Sequence, residues 1–201
     1  GIIAGGDRAL RNPVENAEDN RDVVITDLKN IQFNDKDILC AIAASGRTPY
    51  CIAGLEYAKQ LGAKTIALAC TEKNPMFEIA DINIPVLVGA EVITGSTRLK
   101  SGSAQKMVLN MLTTCSMIKI GKTYGNLMVD VKPTNEKLHH RAVNMLSTIL
   151  DIDDEAAEVL LKAAHNHVKT AILMHLKSID YDQAVELLAD NQSRLSEALK
   201  D

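Results

Sequence analysis

A chain of 201 residues, 46% of them hydrophobic, is long enough for one domain with a real core and a small appendage. With 22 basic against 26 acidic residues the net charge is −4, and two Phe, four Tyr and no Trp provide neither a basic field nor a stacking platform for nucleic acid. Cys40, Cys51, Cys70 and Cys115 stand singly in apolar segments, which predicts buried reduced thiols and a cytoplasmic protein, and no apolar run reaches the roughly 18 residues of a membrane span.

Residues 1–6, Gly-Ile-Ile-Ala-Gly-Gly, read as the tail of a strand entering a glycine turn, and with no initiating Met they predict a fragment. A helix is predicted from near Asp7. A second start signal follows, with Asn12 as N-cap, Pro13 at the first helical position and Glu15 three residues after the cap. That helix is predicted to run through Val23, Val24 and Leu28 to Asn30, with Glu15 as the reciprocal partner in a capping box. Residues 37–44 form a continuous apolar run, too short for most helices, that fits a strand buried on both faces. It ends in Ser45, Gly46, Arg47 and Thr48, after which Pro49 starts a helix closed by Gly62. Residues 65–70 give a second buried strand, so strand, helix and strand compose a βαβ unit with a parallel sheet.

Asn74 and Pro75 open a short one-turn segment, and residues 81–88 read as a third strand. The hydroxyl-rich stretch 89–106 then leads into a helix predicted over 97–121, with Val108, Met111, Leu112, Cys115 and Ile118 at helical spacing. Free N–H groups at that helix start favour an anion, which makes the stretch a candidate cradle. Residues 122–133 read as an ordered crossing segment. From Thr134 helical periodicity takes over, with helices predicted at 134–150, 153–177, 181–189 and 193–199. The fold class expected is α/β, a parallel sheet flanked by helices in a flavodoxin-like or Rossmann-like three-layer sandwich, with a small all-helical C-terminal domain. The domains are expected at 1–133 and 134–201.

Ligands of such sheets bind beyond the carboxyl ends of the strands, where Ser45 and Thr48 stand at one end and Ser96 and Thr97 near another. Arg47, Arg98 and Lys100 can add positive charge. His139 and His140 are adjacent and His165 and His167 two apart, spacings that do not put both rings on one helix face, so no metal site is expected. Serine-hydrolase, P-loop and dinucleotide fingerprints are absent from the sequence. Two hydroxyl-rich turns on a parallel sheet suit a sugar phosphate.

The residues 43–50 (Ala-Ala-Ser-Gly-Arg-Thr-Pro-Tyr), 91–102 (Glu-Val-Ile-Thr-Gly-Ser-Thr-Arg-Leu-Lys-Ser-Gly) and 126–131 (Asn-Leu-Met-Val-Asp-Val) resemble those of the N-acetylmuramic acid 6-phosphate etherases, a family of SIS (sugar isomerase) proteins. The resemblance runs along the whole chain. It implies lyase cleavage of the D-lactyl ether, giving N-acetylglucosamine 6-phosphate and D-lactate without cofactor, in a cytoplasmic homodimer that recycles cell-wall amino sugars. It aligns Glu15 with the family's proton-abstracting base. It also implies substrate contacts from Ser45, Gly46, Arg47, Thr48, Glu91, Ser96, Thr97 and Lys100. Ala43 stands where many SIS domains carry another hydroxyl. Residues 152–199 resemble a ubiquitin-associated-like three-helix domain. The resemblance places the second catalytic acid and a first glycine-rich loop upstream of Gly1, so residues 1–201 alone are expected to be inactive. Two other readings share these motifs: a non-catalytic sugar-phosphate-binding regulator of the glucokinase regulatory protein type, and an aldose-ketose isomerase.

Overall fold

The computed structural model describes residues 1–200. Three short apolar runs form a parallel sheet in the order β1-β2-β3: β1 (Ile38–Ile42), β2 (Lys64–Ala69) and β3 (Ile82–Pro85). Ile38 pairs with Lys64 and Ile42 with Leu68, while Ile66 pairs with Ile82 and Ala69 with Pro85. β2 is central, and Thr65, Ala67, Leu68 and Ala69 are fully buried. The third strand ends at Pro85 rather than continuing to residue 88. β1 was expected to be buried on both faces, yet Ile38 is 64% exposed and Leu39 and Cys40 are half-buried. Among the described residues only β2 pairs with it. An apolar groove of about 440 Å³ borders β1, with Ile3, Val24, Leu28 and Leu39 among its lining residues.

The helices α1 (Gly6–Ala9), α2 (Arg21–Asn30), α3 (Pro49–Gln60) and α4 (Pro75–Ile79) belong to the same unit. Small side chains let them approach the sheet: Leu55 of α3 and Met76 of α4 pack with Ala41, Ala43 and Ala67. Val24 and Leu28 of α2 meet Tyr50 and Ala53 of α3, and the Tyr50 hydroxyl donates to Asp27 at 2.6 Å. The helix expected over 12–30 forms only from Arg21. Asn16 adopts φ +58°, outside the helical region, and Asn20 is the cap instead, its Oδ1 accepting from the amides of Asp22 and Val23. Glu15 is therefore in no capping box.

Thr65 and Asp81 tie the start of β2 to the start of β3. The Asp81 carboxylate accepts from the Thr65 amide and hydroxyl, both at 2.9 Å, and lies 3.2 Å from Lys59 Nζ. These donors, the Thr65 hydroxyl first, hold the Asp81 pKa down to about 2. A depressed carboxylate pKa contributes stability that is present above the unfolded value of about 3.9 and is lost as pH falls through the folded one. Asp81→Asn is therefore expected to lower the melting midpoint at pH 7. The gap from wild type should close between about pH 4 and pH 2 in thermal melts across that range.

α5 (Lys100–Lys119) is long, and only Ser101 in it is buried. The apolar spacing read from the sequence is real, but Met107, Met111 and Ile118 are 57%, 59% and 51% exposed, and Cys115 is exposed rather than a buried thiol. A second compact unit begins at Met111, and it contains α6 (Glu136–Leu150), α7 (Asp154–Ala163), α8 (Val168–Lys177), α9 (Tyr181–Asp190) and α10 (Leu195–Ala198). The single helix expected over 153–177 is two, because His165 and Asn166 take φ +53° and +64° and turn the chain. Leu146, Leu161, Ile172, Leu173 and Leu195 are fully buried there, joined by Val129 and Val131 of the 126–131 motif. Between those valines, Asp130 lies 3.5 Å from the Lys169 ammonium, which also donates to the carbonyls of Ser193 and Gly121. Lys169 is 8% exposed, and these three acceptors offset the cost of taking its charge out of water.

Candidate functional site

The strands end level with one another. The Ala43 amide donates to Leu68 O, the Cys70 amide to Ala44 O and the Val86 amide to Ala69 O. The turns that follow β1, β2 and β3 thus emerge at the carboxyl end of the sheet, where a parallel α/β fold places its ligands.

In the first turn Ser45 is exposed, and its Oγ accepts from the Arg47 amide at 3.2 Å, leaving its proton free to donate outward. Gly46 is buried with φ +66°. Arg47 is exposed, and Thr48 is half-buried at the start of α3 with a hydroxyl that does not cap the helix. The first free amide of that helix, Tyr50 N, donates instead to Glu18 O at 3.0 Å. This bond anchors the irregular segment 14–19 to the start of α3. The other side of the segment rests on Gly5, whose φ is +87°; a Cβ there would lie 3.1 Å from Val14 and 3.3 Å from Ala17. Glu15 is exposed on the turn so fixed. The capping-box pattern had suggested a structural carboxylate, whereas the fold leaves it facing solvent three residues from the anchor at the first hydroxyl turn.

In the stretch after β3, the start of α5 is occupied. Glu91 Oε2 accepts from the Lys100 amide at 2.9 Å, and Oε1 accepts from the amide and hydroxyl of Ser101, each at 2.9 Å. These bonds, led by the Ser101 amide, lower the Glu91 pKa. The open anion cradle expected from the sequence is thus partly filled by the chain's own carboxylate. Lys100 Nζ donates to Val88 O at 2.7 Å, so it braces the loop. Ser96 is half-buried and Thr97 exposed in the turn before α5, placed by backbone bonds from Ser96 N to Ile93 O and from Gly102 N to Thr97 O. The Cys70 thiol lies 4.0 Å from Ser101 O, which sets the start of α5 beside the end of β2.

Sequence reasoning did not single out Thr71, and it read Asn74 only as a helix start. The Asn74 side chain caps α4 by accepting from Phe77 N, and it also lies flat against Gly46. Among the described residues no group of three or more His, Cys, Asp or Glu stands together as a metal cage.

Residues 1–59 match a family model of the glucokinase regulatory protein N-terminal SIS domain, and residues 125–192 match the C-terminal lid domain of glucokinase regulatory protein. Similarity to individual proteins covers far more. The chain is 54% identical over 201 residues, all of it, to the N-acetylmuramic acid 6-phosphate etherase 2 of Vibrio cholerae. It is 53% identical over 199 residues, 99% of the chain, to the N-acetylmuramic acid 6-phosphate etherase of Histophilus somni. The chain spans 66% of the length of each of these relatives. Against that of Pseudoalteromonas atlantica the identity is 54% over 199 residues, 99% of the chain and 65% of the relative. Identity above one half along the whole chain, together with the SIS and lid matches, shows that the chain belongs to the N-acetylmuramic acid 6-phosphate etherase family.

Proposed function

We propose that this chain carries the sugar-phosphate-binding and proton-abstracting part of a carbon-oxygen lyase that cleaves the D-lactyl ether of N-acetylmuramic acid 6-phosphate. The observation that carries the reading is the bond from Tyr50 N to Glu18 O, which sets the Glu15 turn at the same end of the sheet as Ser45 and Thr48. In this reading the hydroxyls of Ser45, Thr48, Ser96 and Thr97 donate to the 6-phosphate and sugar, Gly46 lets the backbone approach, and Arg47 supplies charge at the rim. Glu91 and Lys100 act by holding the second loop.

In the open-chain sugar the C2 hydrogen is α to the aldehyde and therefore acidic. Glu15 takes that proton, the electron pair forms the C2–C3 double bond, and the C3–O bond breaks to release lactate. Water then adds to C3 of the unsaturated aldehyde, and C2 is reprotonated to give N-acetylglucosamine 6-phosphate. No residue of this chain is assigned the acid that protonates the departing lactate. The etherase names of relatives that match this chain along its whole length support this reading over the regulator and the isomerase. The test is a chimera in which this chain replaces the matched region of the Vibrio cholerae protein. D-lactate release from the muramic substrate is expected, and a folded chimera that releases none would overturn the assignment.

The same proposal includes a cytoplasmic homodimer that recycles cell-wall amino sugars. Its support in the structure is α5, where Met107, Met111, Cys115 and Ile118 form one apolar exposed stripe. Met111→Glu with Ile118→Glu is expected to convert a dimer to a monomer in light scattering of the purified chain. A wild-type mass of one chain, 21.8 kDa, would overturn the dimer.

A further inference from the structure

The turn after β2 meets the first hydroxyl turn through specific bonds rather than general packing. Thr71 Oγ1 donates to the Ser45 carbonyl at 3.3 Å and accepts from Asn74 Nδ2 at 3.2 Å. Asn74 is 6% exposed, and its remaining oxygen accepts from the Phe77 amide at 3.2 Å, so its amide plane is fixed from both ends. Gly46 lies against Asn74, and the first amide of α4, Met76 N, donates to the Gly46 carbonyl at 3.3 Å. The two successive carbonyls of Ser45 and Gly46 are thus both gripped, one by Thr71 and one by α4.

A hydroxyl turn binds an anion well only if its donors are aimed before the anion arrives; otherwise ordering them costs part of the binding energy. Ser45 is exposed and has one internal bond of its own, so nothing in its side chain fixes its direction beyond the Arg47 amide. Its backbone must be held from behind. We propose that Thr71 and Asn74 are positioning residues for phosphosugar binding: a relay from the Asn74 amide through the Thr71 hydroxyl to the Ser45 carbonyl sets the donor direction of the first hydroxyl turn. Neither residue touches the ligand. The inference rests on the reading of residues 45–48 as the phosphate turn.

The test is titration of the chimeric enzyme with N-acetylglucosamine 6-phosphate, followed by phosphorus NMR, with thermal melts alongside. Thr71→Val keeps the shape and removes the hydroxyl relay. It is expected to raise the dissociation constant about fivefold, the effect of one net hydrogen bond, at a temperature where the melts show the variant folded. Thr71→Ser keeps the hydroxyl and is expected to bind like wild type. Equal binding by wild type and Thr71→Val would overturn the positioning role while leaving the phosphate turn in place. So would a Thr71→Ser variant as weak as Thr71→Val, because the methyl and not the hydroxyl would then matter. A folded chimera with no substitution that binds no phosphosugar would overturn the phosphate turn itself, and the positioning role with it.

Discussion

Glu15→Gln in the chimeric enzyme is expected to lower the rate of D-lactate release by about a thousandfold, within the range supplied by a positioned general base. The substitution keeps volume and hydrogen-bonding reach but removes the basic oxygen. Glu15 is exposed and takes no part in helix capping, since the helix that would have used it starts at Arg21 instead. Stability should therefore hold, with an unchanged melting midpoint. Phosphosugar affinity should hold as well, because the hydroxyl turn is braced by Thr71 and Asn74 rather than by the Glu15 segment. A variant retaining a tenth or more of wild-type turnover would remove Glu15 from the base role, and a parallel loss of affinity would make it a binding residue.

Gly46→Ala is expected to destabilise the sheet unit by about 3 kcal/mol, from left-handed strain of about 1–2 kcal/mol and disturbed hydrogen bonds at about 1 kcal/mol each. The added Cβ would fall 2.2 Å from Asn74 Cγ and 2.3 Å from Oδ1, and at φ +66° the strain comes with any side chain. Asn74 cannot swing aside cheaply, because doing so releases both the Phe77 amide and the Thr71 hydroxyl. Chemical denaturation of the purified variant measures the loss. Phosphosugar binding should fall with it even at temperatures where the variant is folded, since the same shift moves Ser45. A stable, fully binding Gly46→Ala protein would show that the turn has room to relax.

Elements specified by neighbours in sequence were legible without coordinates. The runs at 37–44 and 65–70 are too short for most helices and form strands at 38–42 and 64–69, Thr48-Pro49 and Asn74-Pro75 each mark a helix start that the structure keeps, and the helix predicted from Thr134 starts at Glu136. The break at 164–167 was missed because no Gly or Pro marks it, and His165 and Asn166 adopt positive φ where the α7 and α8 apolar faces need different directions. In the hydroxyl-rich stretch the sequence pointed to a candidate anion cradle at the start of α5, but Glu91, nine residues before Lys100, reaches it only once the loop has folded back.

By itself the sequence determined the parallel α/β class, the two hydroxyl turns at strand ends, the helical C-terminal part and, through its motifs, the family. Those features depend on local periodicity, turn chemistry and residue identity, which a linear chain carries openly. Only the tertiary structure decided that Glu15 is no helix cap, that Glu91 occupies the α5 start, that α5 keeps its apolar stripe exposed, and that Thr71 and Asn74 stand behind Ser45 and Gly46. Each of these depends on which distant backbone groups meet: a carbonyl at Glu18 facing an amide at Tyr50, or a hydroxyl at Thr71 facing a carbonyl at Ser45. Such pairings are fixed by how the turns converge at the end of the sheet, and no spacing along the chain encodes them.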